Sequence, residues 1–320
     1  MQYRHHPVAS QTGPDFAAEI PDDGYAWWYV DALSDCGQHG LTLIAMLGCV
    51  FSPYYARARR RGPTAALEHS ALNVALYRGD GRRWAMTERG AAAVQRERHA
   101  LQIGPSSLRW SADGLDIAID ETTAPWPRAL RGKIRVLPTA LTAQSWALDP
   151  AGRHLWWPIA VRARIEVQLS QPQLTWQGSA YFDANQGVVP LEYDFDRWSW
   201  SRAHRRDDAI VFYDTVSRNG EPAAELALRF DHGGRAEPFW APPKAKVKRT
   251  GWGIERPTRC DAGLQPRLIE TLESAPFYAR SLLETTITGS SMQAFHESVS
   301  LRRFTSRWVQ TLLPVRLPRR

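Results

Sequence analysis

From Gly24 onward the chain is a succession of short runs in which apolar and polar residues alternate, broken by Gly, Pro, Asn and Asp. Arg164–Leu169 is the plainest: Ile165, Val167 and Leu169 share one face of an extended segment, with Arg164, Glu166 and Gln168 on the other, the period of a strand. Similar patterning predicts strands over Leu41–Phe51, Leu72–Tyr77, Leu115–Asp120, Gly132–Leu137, Thr175–Asp183, Ala209–Val216, Glu225–Phe230 and Leu282–Thr288. Turn sequences at Arg78-Gly79-Asp80-Gly81, Asp113-Gly114 and Asn219-Gly220 separate them, as hairpins require. Helix is expected only over Gly90–Ala100 and Leu301–Leu312, and the first twenty or so residues read as a loose lead-in. The fold class is all-β.

So many strands exceed one small barrel and suit two antiparallel barrels or sandwiches. Proline and a run of acids interrupt the pattern after Asn185-Gln186-Gly187, around Pro190 to Asp196. The expected domains are therefore 1–192 and 193–320. The basic, proline-rich stretch Pro238 to Arg256 reads as a loop inside the second.

Composition sharpens this picture at one point. The 320 residues include 14 tryptophans, and broad aromatic faces with one polar tip suit either a large apolar ligand or an aromatic-rich β core. The net charge of +7 gathers in Arg57, Arg59, Arg60 and Arg61, and again in Arg302, Arg303, Arg307, Arg316, Arg319 and Arg320. No recognition helix, zinc finger or RNA-binding aromatic motif accompanies the arginines, so nucleic acid is not the expected partner. Cys36, Cys49 and Cys260 are widely spaced and odd in number, which points to a reducing compartment rather than a disulfide framework. The most apolar stretch, Leu41–Phe51, spans only about eleven residues, too few to cross a bilayer.

Familiar catalytic signatures are missing. Gly251-Trp252-Gly253 lacks the further glycine of a nucleotide loop, there is no G-x-S-x-G elbow, and no histidine spacing suits a metal. Chemistry must then fall to ordinary acids, bases and rings. In Arg153-His154-Leu155-Trp156-Trp157-Pro158, an extended backbone turns His154 and Trp156 the same way. In Ala180-Tyr181-Phe182-Asp183-Ala184-Asn185 it pairs Tyr181 with Asp183. A carboxyl starved of water among aromatic rings holds its proton to higher pH and can serve as an acid. Plainer readings stand beside this one: Asp183 as the cap of a turn, His154 as a hydrogen-bonded core residue, Trp198 and Trp200 as filling for the domain seam.

Longer blocks carry a resemblance. Gly24-Tyr25-Ala26-Trp27-Trp28-Tyr29-Val30-Asp31-Ala32, Val50-Phe51-Ser52-Pro53-Tyr54-Tyr55, Ala71-Leu72-Asn73-Val74-Ala75-Leu76-Tyr77, Arg83 through Gly90, Gly152 through Pro158, and the ending from His296 to Pro314 are similar to the carotenoid 1,2-hydratases, or hydroxyneurosporene synthases. The likeness runs from about Gly24 to the C-terminus, with departures at Cys36, where a more polar residue is expected, and Gln186, where an aromatic is. It implies two lipocalin-like domains and cofactor-free addition of water to the C1–C2 double bond of an acyclic carotene such as neurosporene or lycopene. The functional residues it implies are His154, Trp156, Tyr181 and Asp183: Asp183 donating the proton, Tyr181 orienting it, Trp156 facing the cation and His154 holding the attacking water. Trp157, Trp27, Trp28 and Trp198 are the candidate substrate contacts.

A substrate dissolved in a membrane further implies peripheral contact on the cytoplasmic side of the inner or photosynthetic membrane. Phe51, Tyr54 and Tyr55 beside the arginines at 57 to 61 offer either such a contact or a solvated basic loop. Two rival functions remain on the same fold. One is a carotenoid or lipid carrier, which binds pigment without converting it; the other is a pericyclase, which would not depend on Asp183.

Overall fold

The computed structural model describes residues 13–79, 82–218, 220 and 222–320, with backbone alone at 5–7 and 222–223. Asp80-Gly81, Asn219 and most of the first twelve residues, where turns and a lead-in are expected, lie outside the described residues. The chain is mostly β and divides into two compact units. One comprises His5–Trp146, His154–Pro190 and Thr311–Arg320; the other comprises Ala147–Arg153 and Leu191–Gln310.

The larger unit is built on β1 (His5–Pro7), β2 (Tyr25–Ser34), β3 (Gly40–Leu47), β4 (Ser70–Tyr77), β5 (Arg83–Arg89), β6 (Val94–Glu97), β7 (Ala100–Ile103), β8 (Ser106–Ser111), β9 (Gly114–Thr122), β10 (Ala129–Pro138), β11 (Gln144–Ala147), β12 (His154–Gln171) and β13 (Gln173–Gly187). Eleven of these run β5-β4-β3-β2-β13-β12-β10-β9-β8-β7-β6, while β1 and β11 branch from β12. β5 comes back to touch β9, so the sheet nearly closes into a lipocalin-like barrel. Its inward face supplies one water-free core that includes Val30, Leu43, Val74, Ile117, Ile134 and Ile165.

An ion pair spans the closure. Arg89 at the end of β5 donates to Glu121 of β9 at 2.9 Å, and Ser106 Oγ donates to the other carboxylate oxygen at 2.9 Å. Burial pushes the Glu121 carboxyl up, with the Arg89 and Ser106 bonds pulling against it. Arg89→Met would leave that carboxylate buried without its cation. The expected cost is about 3–5 kcal/mol at neutral pH, less in acid where Glu121 takes up a proton. The denaturant midpoint checks this.

The helix expected over Gly90–Ala100 does not form. A single 3-10 turn at Ala91–Ala93 passes into β6, whose Val94 to Glu97 pair with Ile103 to Ala100 of β7. Strand partners outweigh the helical preference of the alanines. α1 (Pro53–Arg59) follows the Ser52 cap and folds the aromatic loop inward. Tyr55 is fully buried, its hydroxyl donates to the Gly24 carbonyl at 2.8 Å, and Arg59 lies over its ring. Phe51 and Tyr54 are half-buried, and only Arg57, Arg60 and Arg61 of the arginine run face solvent.

The smaller unit opens with α2 (Leu191–Asp194) and holds β14 (Phe195–His204), β15 (Ala209–Ser217), β16 (Pro222–Phe230), β17 (Ala236–Pro238), β18 (Lys244–Val247), β19 (Arg256–Arg259), β20 (Arg267–Ser274), β21 (Tyr278–Ile287) and β22 (Ser290–Ser300). Seven run β17-β16-β15-β14-β22-β21-β20, and β18 pairs with β19. Ile210, Phe212, Ala227 and Met292 form a core beneath them. The helix expected over Leu301–Leu312 is two short ones, α3 (Leu301–Phe304) and α4 (Arg307–Leu312), interrupted at Thr305-Ser306.

Candidate active site

Three neighbouring strands, β12, β13 and β2, carry the candidate residues in antiparallel register. His154 lies opposite Gly187, which lies opposite Tyr25; Trp156, Asn185 and Trp27 form the next row. Asp183 then faces Tyr29, and Tyr181 faces Asp31. Residues opposite one another share a face of the sheet, so all of these side chains stand on one surface. The alternate residues Ala26, Trp28, Val30, Ala32, Ala180 and Phe182 stand on the other and belong to the barrel core. β12 keeps its two ends in phase with this scheme through irregularities between Trp157 and Ala163, next to Pro158, which has no N–H to give to a ladder.

The surface bearing Asp183 is as dry as the core. Trp156, Tyr181, His154 and Asp31 are 0% exposed and Asp183 is 4% exposed. Asp183 Oδ2 accepts two hydrogen bonds, from Tyr181 Oη at 2.7 Å and from Trp156 Nε1 at 2.9 Å. Burial first, and the Asp183 charge second, raise the Tyr181 pKa well above that of an ordinary phenol; Tyr181 is therefore a fixed donor. Trp146 packs against Trp156 with centroids 5.5 Å apart, and Tyr29 meets Tyr181 edge-on at 6.2 Å.

A second group lies along the strand. His154 Nδ1 is 2.9 Å from Tyr25 Oη, and the Tyr25 ring stacks on Trp27 at 4.9 Å. This contact crosses directly above Gly187. A β-carbon there would sit 2.4 Å from the Tyr25 ring and 2.7 Å from His154 Nδ1, which explains a glycine inside a strand. Four residues of β13 separate the Gly187 row from Asp183, about 13 Å of extended chain. The acid and the imidazole thus flank the Trp156 row and do not touch.

The sheet brings together His154, Trp156, Tyr181 and Asp183, and adds Trp27 on the same surface. It places Trp28 and Trp157 on the opposite one. Trp28 meets Phe16 edge-on in the barrel core, and Trp157 donates from Nε1 to the Thr142 carbonyl at 2.8 Å. Trp198 belongs to β14 of the smaller unit, near Phe195 and Tyr213. Tyr25, Asp31, Trp146 and Gly187 were not singled out from the sequence as parts of the site. The alternation Tyr25, Trp27, Tyr29, Asp31 carried the signal for two of them.

Among the described residues no cluster of three or more His, Cys, Asp or Glu side chains could hold a metal ion, and no helix is long and apolar enough to cross a membrane.

Comparison with known proteins adds what geometry alone cannot. Residues 43–320 match the family described as carotenoid hydratase CrtC. The acyclic carotenoid 1,2-hydratase of Thiocapsa roseopersicina is 53% identical over 308 residues, covering 96% of this chain and 76% of that protein. That of Rubrivivax gelatinosus is 43% identical over 312 residues, with the same coverage of 96% and 76%. Among solved structures, an AttH-type protein of Nitrosomonas europaea superposes with a TM-score of 0.60 at 12% identity, covering 92% of this chain and 98% of that one. At that identity the likeness speaks for the fold alone.

Proposed function

The chain belongs to the carotenoid hydratase CrtC family, and from that premise we propose how its buried sheet surface adds water to a carotene. The reaction is that of an acyclic carotenoid 1,2-hydratase, a hydro-lyase, acting at the C1–C2 double bond of an acyclic carotene. Neurosporene and lycopene are the proposed substrates and a 1-hydroxy carotenoid the product. The observation that carries the reading is the convergence of Tyr181 and Trp156 on one oxygen of a buried carboxyl.

Asp183 is the proton donor. With Oδ2 taking both hydrogen bonds, the acidic proton belongs on Oδ1, and burial favours the neutral form. The alkene π pair takes this proton at C2, which leaves the cation on tertiary C1. The carboxylate so created keeps its two donors, and bonds to a charged acceptor strengthen. The Trp156 face lies against the new cation, an interaction worth about 2 kcal/mol when desolvated. Water held by His154 then attacks C1 and passes its proton to the imidazole. Tyr25 fixes the His154 ring, as an oriented base requires. His154 releases the proton it took to solvent, Asp183 regains one from solvent, and the cycle closes with one water consumed.

Incubating the purified protein with neurosporene or lycopene in detergent is expected to give a product heavier by one water, read by chromatography and mass spectrometry. Pigment bound one-to-one with no hydroxylated product would replace this reading with that of a carrier. The hydrocarbon is dissolved in bilayers, so peripheral contact on the cytoplasmic side of the inner or photosynthetic membrane forms part of the proposal. The loop at Phe51 to Arg61 keeps Tyr55 folded away and is better read as a solvated basic loop.

A further inference from the structure

Trp252 and Trp308 in the smaller unit are left half in water. Their rings stack with centroids 6.2 Å apart at 29°, and each residue is 46% exposed. Trp252 is presented by a tight turn. Gly253 N donates to the Thr250 carbonyl at 2.8 Å, Ile254 N donates to Thr250 Oγ1 at 3.1 Å, and Gly253 takes the positive φ of 75° the turn needs. Arg303 of α3 ties this turn down by donating to the carbonyls of Trp252 and, at 3.1 Å, Pro276. α4 buries Val309 fully and exposes Trp308 and, one turn on, Leu312. About half of each ring stays in water on a fixed turn and a fixed helix, and exposed apolar surface framed by polar residues marks a contact site.

The charge around it selects the partner. Lys248, Arg249, Arg302 and Arg307 are exposed on the segments that carry the two tryptophans. No acid occurs between Lys244 and Gly253, or anywhere from Leu301 to Arg320. The nearest in sequence, Glu255, is engaged by Arg249 and by Arg197 at 3.9 Å. Tryptophan rings rest at headgroup depth, and surrounding arginines and lysines meet anionic phosphates.

We propose that the Thr250–Ile254 turn and α4 form a docking surface for an anionic lipid bilayer. This rests on the carotene-hydratase reading for its purpose, since docking brings the enzyme to a membrane-dissolved substrate, but its test does not need turnover. Wild type, Trp252→Ala/Trp308→Ala and Lys248→Glu/Arg302→Glu are each co-sedimented with phosphatidylcholine vesicles, with and without phosphatidylglycerol. Wild type binds the anionic vesicles and releases them as salt rises. Each basic residue near such a surface is worth about a fivefold change, so the charge-reversed variant binds at least about 25-fold more weakly. The tryptophan variant also loses binding. Both keep a cooperative melting transition and the wild-type rate on carotene in detergent, and slow down only on carotene embedded in vesicles. Equal sedimentation of wild type and both variants, or no sedimentation of wild type, overturns the docking surface whatever the activity. Loss of binding in the variants, with no hydration by any of the three in detergent, retains the surface and removes the hydratase reading instead.

Discussion

Asp183→Asn is expected to abolish hydration while leaving the chain folded. Asparagine keeps the shape of the side chain, and its carbonyl oxygen accepts from both Tyr181 Oη and Trp156 Nε1 where Oδ2 does now. Both existing donors keep their acceptor, while the new amide N–H groups enter where Oδ1 sits buried, at a cost of up to about 1–3 kcal/mol. What disappears is the proton. A positioned general acid contributes about 10²–10⁴ in rate, and a surface this dry offers little bulk water to replace it. Turnover measured by product chromatography should fall by about 10²–10⁴-fold, with melting lowered only by that cost and unchanged near-ultraviolet circular dichroism. Near-normal turnover in a folded variant would take the acid role from Asp183.

Gly187→Ala tests the other end of the site. The added methyl group lands 2.4 Å from the Tyr25 ring and 2.7 Å from His154 Nδ1, well inside the roughly 3.5–4.0 Å of carbon–carbon contact. Both neighbours are buried, at 1% and 0% exposure, so neither can swing into solvent. Overpacking of this sort costs about 1–3 kcal/mol, read from the denaturant midpoint. It also separates Tyr25 from His154. A shift of about 1 Å in a positioning group can cost up to about 10²-fold, so turnover drops further than the lost stability explains. Tyr25→Ala makes room for the methyl group, and the double variant should therefore recover part of the stability lost by Gly187→Ala, a coupling between touching residues. An alanine variant as stable and as active as wild type would show that the Tyr25–His154 contact is dispensable.

How much of this was legible in the sequence follows from which residues needed only their own strand. Tyr181 with Asp183, and His154 with Trp156, fall on common faces by alternation alone, and β12 and β13 extend as strands through both pairs. That Trp156 and Tyr181 meet on one oxygen needed the register between strands. That Tyr25 reaches His154 needed contact across 129 positions of sequence. Local patterns carry no such information. Gly187 was legible as a special position but ambiguous in kind, since a glycine after Asn185 signals a turn as readily as a close approach. The tryptophans misled differently. Trp27 and Trp28 are adjacent and both buried, and only the direction of the barrel core separates the one on the acid's surface from the one packed on Phe16. The helix expected at Gly90–Ala100 failed because its alanines and charged residues suit a helix locally, while pairing with β7 lay beyond any window of neighbours.

The division of β2 and β13 into one surface for packing and one for chemistry also limits how such a gene can change. Deleting a single codon within β13 ahead of Asp183 would carry Asp183 into the barrel core and bring Ala184 to the place beside Trp156. The oily interior would receive a carboxylate and the site would lose its acid in one event. Loss or gain of two codons preserves the parity of the faces, though it moves Asp183 about 7 Å along the strand relative to Trp156. Lineages descended from this chain are therefore free to lengthen or trim the connections between strands residue by residue. Within these two strands, length changes that keep the core apolar should come in even steps.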